Sequence, residues 1–382
     1  MRAVSPSELI EILETRFVDP SAPPVLIFGS PGEGKTQIVR DLATKHGAEL
    51  RTIRLSSMAQ EDVSGVMVPD IEKRLADYWS PELLEMPDDM EKRHKIVLFF
   101  DELGCAKTDV QNAALNLFQD GVLHNVDIRG AIRIAATNRP KDKVFVKGIT
   151  SALINRCCVV ELQNTVKDWI KWARQNLIHP AVISYIDQSG GTLRGEPSIT
   201  SAYPTPRAWE YVSRECYRAE KIGLKPKALT AMIAGYVGEQ EASKFRTYLT
   251  YYRELPKPTD DPEQAIRSIL EHKRKDANIY LYMYTHSVAM YVQRAYNENK
   301  KQLKPEHIRQ FVLLLDALYR IDKQQFAAAA AHIISIETLY HIMDRCAVNK
   351  RASLNLPQHI FNNLKELWSF VNDAIGEAKR ED

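Results

Sequence analysis

The sequence predicts an α/β domain built on a parallel sheet, followed by an all-helical region. Three observations carry that prediction. Five short apolar runs, at residues 25–28, 50–55, 96–100, 132–136 and 159–162, lie in the first half of the chain. Helical patterns such as 110–118 separate them, and strands alternating with helices argue a parallel sheet. Beyond Gln163 the strand signal fades and apolar residues recur at helical spacing. At 382 residues the chain is too long for one ordinary core, so two or three domains are expected.

The N-terminus reads as a capped helix. Ser5 stands at the N-cap, Pro6 at the first helical position, and Glu8 completes a capping box; Leu9, Leu13 and Phe17 then recur at helical spacing. The first strand run ends in Gly29-Ser30-Pro31-Gly32-Glu33-Gly34-Lys35-Thr36, and a helical pattern opens at Gln37. Strand, glycine loop and helix form the context that G-x-x-x-x-G-K-[ST] requires. Glycines let the backbone curl so that N–H groups point at phosphate oxygens, and the helix adds its positive end. Lys35 is expected on the β- and γ-phosphates and Thr36 on Mg²⁺. Residues 29–37 are thus the candidate nucleotide-binding set, including Gln37 on the first helical turn. An ordinary Gly-rich turn is the bland alternative.

The run at 96–100 ends in Asp101-Glu102, about 65 residues after the loop. Asp101 is the candidate Mg²⁺ holder, through water, and Glu102 the candidate base for an attacking water. The run at 132–136 ends in Thr137-Asn138. There Asn138 is a candidate to orient water or sense the γ-phosphate. A turn asparagine before Arg139-Pro140 is the alternative.

These elements, in this order, resemble the AAA+ ATPases, and within them the MoxR-like (dynein-related) branch. Gly29–Thr36 looks like Walker A, Phe100-Asp101-Glu102 like Walker B, and Ala136-Thr137-Asn138 like sensor 1. Ala152-Leu153-Ile154-Asn155-Arg156 resembles the element that carries the arginine finger, with Arg139 as a rival for that role. Pro204-Thr205-Pro206-Arg207 resembles sensor 2 at the start of a lid helix, which gives Arg207. Residues 55–69, with Gln60-Glu61-Asp62-Val63-Ser64-Gly65, are similar to the segment where this branch inserts elements facing a central pore.

The resemblance implies a parallel five-stranded sheet over residues 1–163, a helical lid over 164–255 and a helical C-terminal region over 256–382. It further implies ATP and Mg²⁺, a homo-oligomeric ring expected to be a hexamer, and catalysis by Glu102, Asn138, Arg156 and Arg207 at subunit interfaces. The implied work is remodelling of a protein client, with a von Willebrand factor A-type partner. A nucleic-acid motor or loader is the competing class; the net charge of +2 and the lack of a recognisable DNA-binding module weigh against it.

In the helical half, Ile308, Phe311, Val312, Leu315 and Tyr319 form one apolar stripe, and Phe361, Leu364, Trp368, Val371 and Ile375 another. Core packing is the plain reading and subunit docking the alternative. Tyr280, Tyr282, Tyr284, Tyr291 and Tyr296 invite the same choice. Asp77-Tyr78-Trp79-Ser80-Pro81 reads as an exposed aromatic loop. Basic clusters at 273–275 and around Lys300, Lys301 and Lys304 are balanced by nearby acids and read as solvated faces. Five cysteines without a C-x-x-C pair read as free thiols of a cytoplasmic protein, with Cys157 and Cys158 as small core residues. No histidine spacing suggests zinc, no signal peptide is visible, and no apolar run reaches membrane length.

Overall fold

The computed structural model describes residues 2–369 apart from 74, 140–141, 143–148, 150–153, 189, 199, 274–275, 322–326, 328–329, 331–332, 347–350, 358, 361–367. Residues from 370 onward are likewise outside the description. Ala152 and Leu153 of the finger-like element lie outside the described residues, as do Phe361, Leu364, Val371 and Ile375 of the last stripe. So do Arg274 and Lys275. The chain divides into two compact units, Met1–Asp168 with Thr205–Arg207, and Trp169–Pro204 with Ala208–Asp382.

The first unit opens with a two-residue strand β1 (Ala3–Val4) and helix α1 (Pro6–Val18). Ser5 caps α1 reciprocally: its hydroxyl accepts the Glu8 N–H at 3.2 Å, and the Glu8 carboxylate accepts the Ser5 N–H at 2.8 Å. β2 (Val25–Phe28) leads through the glycine loop into α2 (Lys35–Lys45) and on to β3 (Glu49–Arg54). A one-turn helix α3 (Glu61–Ser64) precedes an antiparallel hairpin, β4 (Val66–Asp70) with β5 (Leu75–Trp79). The short α4 (Met90–Arg93) leads to β6 (Ile96–Asp101), α5 (Thr108–Asp120) and a small hairpin, β7 (Val122–Leu123) with β8 (Val126–Asp127). β9 (Ile132–Thr137) and β10 (Cys158–Leu162) complete the sheet.

All five strand runs read from the sequence form strands of one six-stranded sheet, in the order β1-β10-β2-β9-β6-β3, with every pair parallel. The sixth strand, β1, pairs Ala3 with Glu161 at the edge; two residues are too few to leave a periodic signal. The strands read as unbroken apolar runs because both faces are covered. Leu26, Phe28, Leu98 and Phe100 pack into the core that holds α5, while Val25, Ile27, Val97 and Phe99 pack into the core that holds α1 and α2. β9 lies between β2 and β6. The carboxyl ends of these three strands therefore emerge side by side, where ligands bind in such sheets.

Of the segment expected as an exposed aromatic loop, Asp77, Tyr78 and Trp79 belong instead to strand β5, and Ser80 and Pro81 follow it. Tyr78 stacks on His124 with ring centroids 3.9 Å apart, and Trp79 is 69% exposed.

The second unit is helical. α6 (Val166–Gln175) leads into it; α7 (Pro180–Gln188), α8 (Pro206–Ile222), α9 (Pro226–Val237) and α10 (Glu239–Arg253) share a core that includes Trp169, Trp209 and Phe245. A second core, with Ile266, Tyr284, Phe311 and Leu315, gathers α11 (Pro262–His272), α12 (Ala277–Glu298), α13 (Pro305–Arg320) and α14 (Ile336–Arg345). Tyr280, Tyr282, Tyr284 and Tyr296 are buried in it. Among the described residues no helix is long and apolar enough to cross a membrane. All five cysteines are free thiols; Cys157 and Cys158 are half-buried and pack against the cores on the two faces of the sheet.

Candidate functional site

The glycine loop turns where only glycine is comfortable. Gly32 (φ 79°) and Gly34 (φ 89°) both lie in the left-handed region, and Gly34 caps α2. A Cβ on Gly32 would also come 3.3 Å from the Thr205 side chain and 3.5 Å from the Arg207 Cβ. The start of α8, with Arg207, is thus packed on the loop within the first unit.

Lys35 folds back over the loop. Its Nζ donates to the Gly29 carbonyl at 2.7 Å, the Ser30 carbonyl at 3.0 Å and Asn138 Oδ1 at 3.4 Å. Burial pushes its pKa down to about 8; the carboxylates of Glu33, Asp101 and Asp142 oppose that shift and Arg207 adds to it. The ammonium rests on neutral carbonyls and an amide, so an arriving phosphate offers it a stronger, charge-assisted partner.

Beside it, the Thr36 hydroxyl donates to Asp101 Oδ2 at 3.1 Å. This hydroxyl–carboxylate pair supplies hard oxygen donors of the kind a divalent cation takes. Glu102 sits in left-handed backbone (φ 58°), unusual for a residue with a side chain. Its N–H donates to Asp101 Oδ1 at 2.9 Å, and its carboxylate accepts a hydrogen bond from the Ser56 hydroxyl. Asn138 lies between loop and acidic pair, with its Nδ2 4.0 Å from Cys105 Sγ. Thr137 Oγ1 accepts the Gly104 N–H at 3.2 Å, which ties the end of β9 to the turn after Glu102.

The residues of 29–36, Asp101, Glu102, Asn138 and Arg207 thus converge, whereas Gln37 is exposed and its amide donates to Asp41 Oδ1 at 2.7 Å along α2. Arg156 does not join them: it is exposed, and its Nη1 donates to Gln119 Oε1 at 2.9 Å at the end of α5. Sequence reasoning missed Ser56, which comes from the turn after β3, and Asn164, whose amide donates to the Glu33 carbonyl at 2.7 Å. Neither belongs to a local pattern. It also missed Asp142, although the close spacing Asn138-Arg139-x-x-Asp142 was a usable hint.

A glycine loop that opens a helix, one buried ammonium and a hydroxyl–carboxylate pair are the parts of a P-loop nucleoside-triphosphate hydrolase. Residues 25–164 match the family model described as "ATPase family associated with various cellular activities (AAA)", so this segment is an AAA ATPase domain. No curated protein matches the chain. Similar solved structures include a point mutant of RuvB from Thermotoga maritima (16% identity, 78% of this chain and 95% of that one, TM-score 0.36). The T. maritima RuvB Holliday junction branch migration motor is another (14%, 89% and 84%, TM-score 0.32). A third is a provisionally assigned ATPase from Cytophaga hutchinsonii (12%, 86% and 90%, TM-score 0.32).

Proposed function

We propose that the protein is a MoxR-like AAA+ ATPase, a homo-oligomeric ring, expected as a hexamer, that hydrolyses ATP between subunits to remodel or activate a protein partner. The observation that carries the remodelling reading is the hairpin β4–β5. It is inserted beyond the carboxyl end of β3 and exposes Val66, Met67, Ile71, Leu75 and Trp79, all more than half exposed. Large exposed apolar patches on soluble proteins mark interaction sites.

In this reading residues 29–37 cradle the phosphates and Lys35 holds the β- and γ-oxygens. Thr36 and Asp101 hold Mg²⁺, which when bound neutralises charge on the phosphate oxygens. Glu102 polarises the attacking water and Asn138 orients it. Arg207 reaches the nucleotide from the start of α8. Arg156, exposed and away from its own loop, serves the neighbour's γ-phosphate; fingers of this kind contribute roughly 10³–10⁵ in rate. Residues 164–255 act as the lid, residues 256–382 form a separate helical module, and a von Willebrand factor A-type protein is the partner class.

The test is ATPase rate per subunit against protein concentration, for wild type and Arg156→Ala, with native mass in ATP. The expected result is a rate that rises with ring assembly and collapses in the variant. A concentration-independent rate that survives the substitution would remove Arg156 from the site and replace the ring by a monomeric switch. A rate stimulated only by DNA, and lost at high salt, would favour the nucleic-acid motor.

A further inference from the structure

We propose that Arg139 is a strap across the end of β2 that presets the phosphate loop of its own subunit, anchored by Asp142 and Glu161. It is a positioning residue acting in cis, not a finger acting on a neighbour. The inference rests on the nucleotide-binding reading above and adds three residues to that site.

The sheet order supplies the geometry. β2 is flanked by β9 and β10. Arg139 follows β9 by two residues, while Glu161 lies on β10 in register with Phe28, the last residue of β2. The guanidinium spans the gap between them. Its Nη1 donates to Glu161 Oε1 at 3.2 Å, its Nη2 to Asp142 Oδ1 at 2.9 Å, and its Nε to Asp142 Oδ2 at 3.1 Å. Nη2 also donates to the Ser30 hydroxyl, which in turn donates to Asp142 Oδ1 at 3.1 Å. Both hydrogen-bonding roles of the Ser30 hydroxyl, one residue into the glycine loop, are taken up by the strap. Asp142 is itself held by the Arg139 N–H at 3.2 Å.

Two consequences follow. The three charged side chains are 15%, 7% and 17% exposed. Buried ion pairs are weak sources of stability, but they fix geometry, and losing one partner leaves a buried charge uncompensated. An arginine so enclosed, with its fork engaged on its own subunit, is not available to a neighbour. Arg139 also neutralises two carboxylates at the mouth of a loop that must accept a polyanion. Without it, Asp142 would stand unpaired against Ser30 and repel phosphate. Lysine lacks the planar fork that serves three partners at once.

The experiment measures binding of a fluorescent ATP analogue and steady-state hydrolysis by the full chain, with Lys35→Ala as control. Arg139→Met should weaken Kd and KM by about tenfold or more while kcat at saturation changes little. Arg139→Lys should not rescue. The double variant Arg139→Met, Asp142→Asn should recover part of the affinity, because one of the two carboxylates that Arg139 neutralises is gone. It also carries the test should the single variant fail to fold. Wild-type affinity in Arg139→Met would overturn the strap, as would a kcat collapse at unchanged Kd. So would restoration of hydrolysis on mixing Arg139→Met with Glu102→Gln subunits, which is the signature of action in trans. Wild-type protein that binds no analogue, or that binds it equally well after Lys35→Ala, would overturn the nucleotide reading and the strap with it.

Discussion

Lys35 is held between two opposed influences, burial that disfavours its charge and three carboxylates that favour it, and burial prevails. Its folded pKa of about 8 lies below the ordinary 10.5. Only the charged form attracts phosphate, so nucleotide affinity should be level below that value and weaken above it, by at most about tenfold per pH unit. Bound phosphate restores the proton, so binding above pH 8 should take up close to one proton, visible as a buffer-dependent enthalpy in calorimetry. A Kd that stays level to about pH 9.5 would mean the ammonium keeps its ordinary value. The same shift acts on stability with a definite sign. Between about 8 and 10.5 the unfolded chain holds more protons than the folded one, so folding stability gains with rising pH there. At neutral pH the buried charge is a stability cost carried for function. Glu102 carries a second such cost, since left-handed backbone disfavours a side chain by roughly 1–2 kcal/mol.

At the scale of elements, α1 and α12 give contrasting predictions. Ser5 makes both halves of a capping box on α1, so Ser5→Ala should cost about 1 kcal/mol in chemical denaturation. On α12, His286 is fully enclosed; its Nδ1 lies 3.2 Å from the Tyr282 carbonyl and its Nε2 3.4 Å from Arg174, which also approaches Asp187 at 3.7 Å. Burial first, then the Arg174 charge, hold the imidazole neutral well below pH 6.5. The unfolded chain gains that proton first, so stability present above pH 6.5 should be lost as pH falls, by up to about 1.4 kcal/mol per unit. Urea melts of wild type and His286→Gln would separate this share from that of the carboxylates. An identical pH slope in both would remove His286 from the acid response. The legibility of each element had a physical basis. Strands covered on both faces leave unbroken runs, so 25–28 and 96–100 could be read directly, and the glycine loop and Asp101-Glu102 could be read because their chemistry is contiguous. β4 and β5 could not: their outward residues bury little and Pro69 interrupts the pattern. Ser30, Arg139 and Glu161 meet across 109 and 22 residues, and no local periodicity reports a contact made over strand ends.

At the scale of the whole molecule, under the proposed function the phosphate loop carries the chemistry and the exposed apolar surface of the hairpin carries the work on a client. The hairpin is docked through β5: Tyr78 stacks on His124, and Asn125 Nδ2 donates to the Tyr78 carbonyl at 2.8 Å. Its base is closed at Gly65, where a Cβ would fall 2.4 Å from the Trp79 carbonyl. Met67, Ile71 and Leu75 take no part in that docking and are 60%, 86% and 65% exposed. Replacing all three by serine should therefore leave the hairpin in place, with each change within about 0.5 kcal/mol of neutral. Basal kcat and KM for ATP should stay within about twofold, since none of the residues proposed to hold or hydrolyse the nucleotide lies on the hairpin. Binding of an apolar dye to the folded protein should fall, because these side chains supply much of the exposed apolar surface of that hairpin. If kcat drops toward that of Glu102→Gln, the hairpin belongs to the catalytic machinery and its reading as a client surface is wrong. If kinetics hold while dye binding falls, the hairpin is dispensable for the chemistry and free to serve a partner.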